Sequence, residues 1–145
     1  MKAIQIHETG GPEVLKLVEL PIPQPGPGQV LIRVETTGVN FIEIYFRKGV
    51  YKASLPLVPG SEAAGTVEEL GPGVTGFAAG DAVASVGVLG SYAEYALVAA
   101  AQLVKVPAGL TMEQAAAAMR VSHAAFGRYL AAARTALSTG LPAGS

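Results

Sequence analysis

Residues 30–49 read VLIRVETTGVNFIEIYFRKG, and the change of rhythm inside this stretch decides the fold. From Val30 the apolar side chains alternate, placing Val30, Ile32 and Val34 on one face and Leu31 and Arg33 on the other, the two-residue period of a strand. Gly38 marks the exit. Asn40 then opens a short helix, since an asparagine side chain accepts an N–H two or three residues on, and Gly49 is placed to stop it.

Outward from this segment the same grammar repeats. Towards the N-terminus, KAIQIH (2–7) and VLKLVEL (14–20) alternate as strands. Between them and Val30 lies PIPQPGPGQ (21–29), whose prolines lack the N–H that a sheet interior needs, so it is a loop. Towards the C-terminus, SEAAGTVEEL from Ser61, GDAVASVG from Gly80 and GSYAEYALV from Gly90 read as further strands. Short strands with turn signals every 8 to 12 residues or so specify a barrel or sandwich. At Thr111 the pattern turns helical: Thr111 and Gln114 have capping-box spacing ahead of an alanine run, and a helix begins near Met112.

Composition limits the function classes. With 145 residues, half of them hydrophobic and 14% charged, the chain suits one folded domain rather than a disordered segment. A net charge of −1 without a basic run argues against nucleic-acid and anionic-membrane partners. No cysteine and only two histidines, His7 and His123, leave little for a metal site and nothing for a thiolate nucleophile. MKAIQIHETGG lacks a signal-type apolar run, which makes the cytoplasm the expected location.

GPGVTG at Gly71 to Gly76 matches the dinucleotide fingerprint letter for letter. That motif works only where its glycines open a helix whose amides meet a pyrophosphate. FAAGDAV follows, too short for such a helix, so the expectation is a plain turn between strands. Asp81 is read as fixing a turn before a strand, Glu62 as structural, and Arg47 and Lys48 as solvated cations.

Taken together, GGPEVL (10–15), TGVNFIEIYFRKGVY (37–51), LPLVPGSEAAGTVEELGPGV (55–74), GDAV (80–83), GSYAEYALV (90–98) and MEQAAAAM (112–119) resemble the zinc-independent, zeta-crystallin-like quinone oxidoreductases of the medium-chain dehydrogenase/reductase superfamily. The resemblance implies a mainly β, GroES-like, partly open barrel, incomplete here, over residues 1–119. A divergent helix-prone tail covers 120–145, and the nucleotide-binding domain lies outside the 145 residues. It implies hydride transfer from NADPH to a quinone or conjugated carbonyl. Zinc-dependent relatives carry a cysteine and a histidine where this chain has Asn40 and Ser61, so no zinc is implied.

By the same resemblance Asn40, Phe41, Ile42 and Tyr45 line the cleft for the nicotinamide end of NADPH, and Tyr51 reaches it. On residue type alone an asparagine at a helix start is equally a cap, and the tyrosines equally core or rim. An enoyl reductase of the same superfamily, or a non-catalytic GroES-like module pairing through exposed edges into a homo-oligomer, are the alternative readings. The tail admits an out-of-frame origin: with suitable codons STGLPAG, read one base earlier, becomes VHGAAGG, similar to the family's pyrophosphate loop. The rival is an ordinary fragment whose last helix caps the domain. Either way the isolated chain is expected not to turn over quinones with NADPH.

Overall fold

The computed structural model describes residues 1–86 and 90–121. The described residues form seven strands and two α-helices: β1 (Lys2–Gln5), β2 (Lys16–Glu19), β3 (Gln29–Thr37), α1 (Phe41–Arg47), β4 (Glu62–Leu70), β5 (Ala82–Val86), β6 (Tyr95–Ala99), β7 (Leu103–Lys105) and α2 (Met112–Val121). The tail expectations for residues 122–145, His123 included, lie outside the described residues.

β3 and β4 are the long central pair of an antiparallel five-stranded sheet ordered β6-β3-β4-β5-β7. β1 and β2 form a separate antiparallel hairpin. A bridge between Ala3 and Ala93, with Ile4 N–H donating to Tyr92 O at 2.8 Å, attaches the hairpin to the segment entering β6. The sheets stay open and no closed barrel forms among the described residues. No described helix is long and apolar enough to cross a membrane.

The two faces of the main sheet are filled differently. One face carries Val30, Ile32, Ala63, Val67, Val83, Val98 and Leu103 in a single cluster. Full burial of side chains of this size contributes roughly 1.5–3 kcal/mol each. On the opposite face Ala64 and Ala84 meet Ala115, Ala116 and Met119 of α2. Small residues on both partners let the helix lie close against the strands. Leu31, on the face opposite Val30 and Ile32, is also buried, only 3% exposed, because β3 is the second strand of the sheet and α2 packs across it.

Several local readings hold, and several shift. Gly71 to Gly80 is a chain of turns between β4 and β5 with no helix opening on it, so the fingerprint match is a turn. The capping box at α2 is reciprocal: Thr111 N–H donates to Gln114 Oε1 at 3.0 Å, and Gln114 N–H to Thr111 Oγ1 at 3.2 Å. The second strand begins at Lys16 rather than Val14, because Pro12–Val14 winds into one turn of 3-10 helix with Pro12 at its start, where a missing N–H costs nothing. β7, three residues long, has no counterpart in the sequence reading.

Asp81 fixes its turn as expected. Its carboxylate pairs with Lys105 Nζ at 2.8 Å and accepts the Ala78 N–H at 2.9 Å. The Lys105 contact, then the Ala78 bond, hold its carboxyl below the ordinary value of 3.8. A lowered folded value means that the stabilisation is complete above pH 3.8 and is lost as pH falls through the lower folded value. In an acid titration followed by NMR, the Ala78 amide is expected to keep its native shift down to pH 3.8 and to move only below it; a midpoint above 3.8 contradicts the pairing.

Candidate functional site at the first helix

The turn from β3 into α1 gathers several side-chain hydrogen bonds. Asn40 is the N-cap, in an extended conformation, and forms a capping box with Glu43. The Glu43 carboxylate is buried at 7%. Its Oε2 accepts the Asn40 N–H at 2.8 Å, and its Oε1 accepts the Ser61 hydroxyl at 2.5 Å. A single carboxylate therefore bridges Asn40 and Ser61. Among the described residues no group of three or more His, Cys, Asp or Glu is placed to hold a metal ion.

One turn further along α1, Arg47 lies on the same inward face as Glu43, four residues apart. It was read as solvated and is not: it is buried at 9%, and its Nη1 donates to the Gly10 carbonyl at 3.0 Å. The guanidinium clips α1 to the loop after β1, and Gly10 N–H returns a bond to Arg47 O at 2.9 Å. Lys48, its neighbour, is exposed as expected. Beside this network Thr37 Oγ1 donates to Glu62 O at 2.8 Å and lies 2.7 Å from Ser91 Oγ.

The outward face of α1 is apolar and aromatic. Phe41 and Tyr45, also four residues apart, are 76% and 42% exposed, and Tyr51, 48% exposed, folds back onto Tyr45. Gly49, at a φ of +75°, allows this reversal, and the Val50 and Tyr51 amides both donate to the Tyr45 carbonyl, at 2.9 and 3.3 Å. The Tyr51 ring stands edge-on to Tyr45 with centroids 5.4 Å apart and to Phe46 at 5.8 Å. So Phe41, Tyr45 and Tyr51 share one open surface. Ile42 is half-buried and Asn40 half-buried between the two faces.

Sequence reasoning passed over Tyr92. Tyr92 lines a cavity of about 320 Å³ whose wall also includes Val39, Asn40, Glu43, Ile44 and Pro59. Burial first, then the Glu43 and Glu62 carboxylates, push the phenol above its ordinary value, so it stays protonated and remains a donor at neutral pH. Nothing in GSYAEYALV separates Tyr92 from Tyr95; long-range contacts place Tyr92, with the Ala3–Ala93 bridge on one side and its own N–H donating to the Pro59 carbonyl at 2.9 Å on the other.

The fold is shared with known proteins. Residues 26–108 match the alcohol dehydrogenase GroES-like domain. The chain is 47% identical over 120 residues to a quinone oxidoreductase of Pseudomonas aeruginosa and 46% over 121 residues to that of Homo sapiens. Each match covers 81% of this chain and 37% of the relative, so the chain spans a little over a third of these proteins' length. A mycobacterial protein solved in complex with NADPH superposes with a TM-score of 0.79 at 48% identity, covering 83% of this chain and 38% of that one. With its sheet, turns and first helix falling inside the matched region, the chain belongs to the alcohol dehydrogenase GroES-like domain family, related to the quinone oxidoreductases of the medium-chain dehydrogenase/reductase superfamily.

Proposed function

We propose that this chain is the nicotinamide-facing part of an NADPH-dependent quinone oxidoreductase, with Asn40, Phe41, Ile42, Tyr45 and Tyr51 on the cofactor side. The observation that carries the reading is the open aromatic surface of Phe41, Tyr45 and Tyr51 beside an amide nitrogen, Asn40 Nδ2, that is buried and has no hydrogen-bond partner among the described residues. A flat heteroaromatic ring with a polar substituent fits that combination, because aromatic faces stack on it and the orphaned donor needs an acceptor.

Bound NADPH supplies a hydride from its dihydronicotinamide ring. The chain's own part is to hold and to exclude. Tyr45 and Tyr51 present a wall that keeps water from the ring, and their edge-on packing fixes the wall's shape before a ligand arrives. Asn40 sets the ring's rotation through its amide, and Glu43 holds Asn40 by the backbone. Relatives named quinone oxidoreductases, together with an NADPH complex of a similar structure, support the choice of quinone and cofactor.

The test uses reduced nicotinamide mononucleotide with the 145-residue chain and follows the tyrosine ring resonances by NMR. Tyr45 and Tyr51 are expected to shift together, and Tyr45→Ala to weaken the interaction about tenfold, a stacking loss on the order of 1.4 kcal/mol. Saturation with the mononucleotide while both rings keep their shifts would overturn the assignment.

A further inference from the structure

The loop between β1 and β2 meets α1 at two points. Gly10 and Arg47 exchange bonds in both directions: the Gly10 N–H donates to the Arg47 carbonyl at 2.9 Å, and Arg47 Nη1 donates to the Gly10 carbonyl at 3.0 Å. One residue earlier, the Thr9 side chain lies against Gly49, so closely that a Cβ on Gly49 would meet Thr9 Cγ2 at 3.1 Å. Gly49 is the residue whose left-handed turn brings Tyr51 back to Tyr45. The loop therefore holds both the last residue of α1 and the reversal that follows it, while Phe41, Tyr45 and Tyr51 stay exposed.

The loop is itself braced. The Gly11 N–H donates to Glu13 Oε1 at 2.8 Å, and Pro12–Val14 forms the 3-10 turn. A bond from its own N–H, then the one from Gly11, hold the Glu13 carboxyl below its ordinary value of 4.5, with the Arg47 charge adding to them. Val14, buried, packs beside Gly10, where an added Cβ would lie 2.6 Å from Val14 Cγ1. By contrast α1 has seven residues, well short of the roughly 12–15 at which a helix begins to hold its own shape. Its orientation must come from its contacts.

We propose that Arg47, paired with Gly10, is the positioning residue of the aromatic surface: it sets the angle of the last turn of α1 and, through the Tyr45 carbonyl that receives the Val50 and Tyr51 amides, the placement of the Tyr45 and Tyr51 rings. A flat ring on that surface is then gripped through a residue on the opposite, buried face of the helix. The ligand half of this inference rests on the proposed function; the placement of the rings does not.

A guanidinium suits the task because its donors are fixed in a plane, so its bond sets direction as well as distance. An unbranched apolar side chain would fill the space and leave loop and helix free to slide. Binding surfaces keep their grip only within about 0.5 Å of the productive geometry, so a small slide is enough to matter.

The test compares Arg47→Met, which keeps the bulk and removes the donor, with Gly10→Ala, which drives a Cβ into Val14 from the other side of the pair. Both are made in the 145-residue chain. The signature is the set of NMR nuclear Overhauser contacts between the edge-on Tyr45 and Tyr51 rings, read beside the Val30, Ile32 and Val83 methyl resonances of the sheet core. In each variant the ring contacts are expected to weaken and both rings to shift, while the core methyls keep their native positions. Affinity for reduced nicotinamide mononucleotide is expected to fall about tenfold. Native ring contacts in either folded variant overturn the proposal, because Arg47 then adds stability alone. Core methyls that move as much as the rings, or an unchanged affinity alongside displaced rings, overturn it too. If Arg47→Met does not fold, Gly10→Ala carries the decision. If the unaltered chain does not bind the mononucleotide, the cofactor reading fails, and the ring contacts still decide the role of Arg47.

Discussion

Replacing Gly65 by alanine is expected to cost about 3–5 kcal/mol, a large part of the roughly 5–15 kcal/mol that holds a domain of this size together. Gly65 lies in β4, paired with Val34 of β3 at the point where the register slips between Val34 and Thr36. The slip leaves Glu35 without an opposite residue and brings the two backbones close. A Cβ on Gly65 would fall on the Arg33 carbonyl oxygen, with the Arg33 carbonyl carbon at 3.0 Å and Glu35 N at 3.1 Å. These are backbone atoms and no rotamer change can move them aside, so the central strands must part and their ladder bonds must lengthen.

Gly73→Ala provides the contrast. Gly73 has a φ of +78° and nothing within 4 Å of an added Cβ, so its substitution costs only the left-handed conformation, about 1–2 kcal/mol. Urea unfolding followed by circular dichroism measures both variants. Equal midpoints for Gly65→Ala and Gly73→Ala would sink the close-approach account.

This position also shows how far the sequence could be read. The alternation from Val30 to Val34 was legible because one face of β3 packs into a continuous apolar cluster, and strict alternation reports that burial. The burial of Leu31 was not legible, because alternation is silent about a second covering layer. That layer, α2, arrives some eighty residues later, and only its alanines hint that it docks closely. β7 escaped notice because LVK is too short to show a period, yet the sheet recruits it through pairing with β5.

The site divides along the same line. Asn40, Phe41, Tyr45 and Tyr51 lie within twelve residues, so one segment carries them, and their neighbourhood followed from local structure alone. Arg47 and Lys48 look alike in sequence, and what separates them is helical phase. Arg47 falls four residues after Glu43 and turns inward with it, a spacing that was visible and went unused. Tyr92 comes to the same cavity as Asn40 through long-range contacts of the segment before β6, with Pro59 and with Ala3, that no local signal encodes.

The second large effect follows from that inward face. Glu43→Ala is expected to destabilise the chain by about 2–4 kcal/mol, for the loss of the two hydrogen bonds that its buried carboxylate accepts, from the Asn40 N–H and from the Ser61 hydroxyl. Glu43→Gln retains the shape but has one acceptor oxygen in place of two, so it can serve one of the two donors and should lose about half as much. Because Ser61 begins the approach to β4 while Asn40 leads out of β3, the carboxylate ties α1 across the ends of the two central strands. A double-mutant cycle of Glu43→Ala with Ser61→Ala, read by thermal or urea unfolding, should give a coupling of about 1 kcal/mol or more, as for residues in direct contact. Additive losses would mean that the 2.5 Å bond contributes nothing beyond packing. The same variant should loosen Tyr45 and Tyr51, since their helix loses an anchor on its inward side; the near-ultraviolet circular dichroism of the chain is expected to fall before global unfolding, while Gly73→Ala leaves it unchanged.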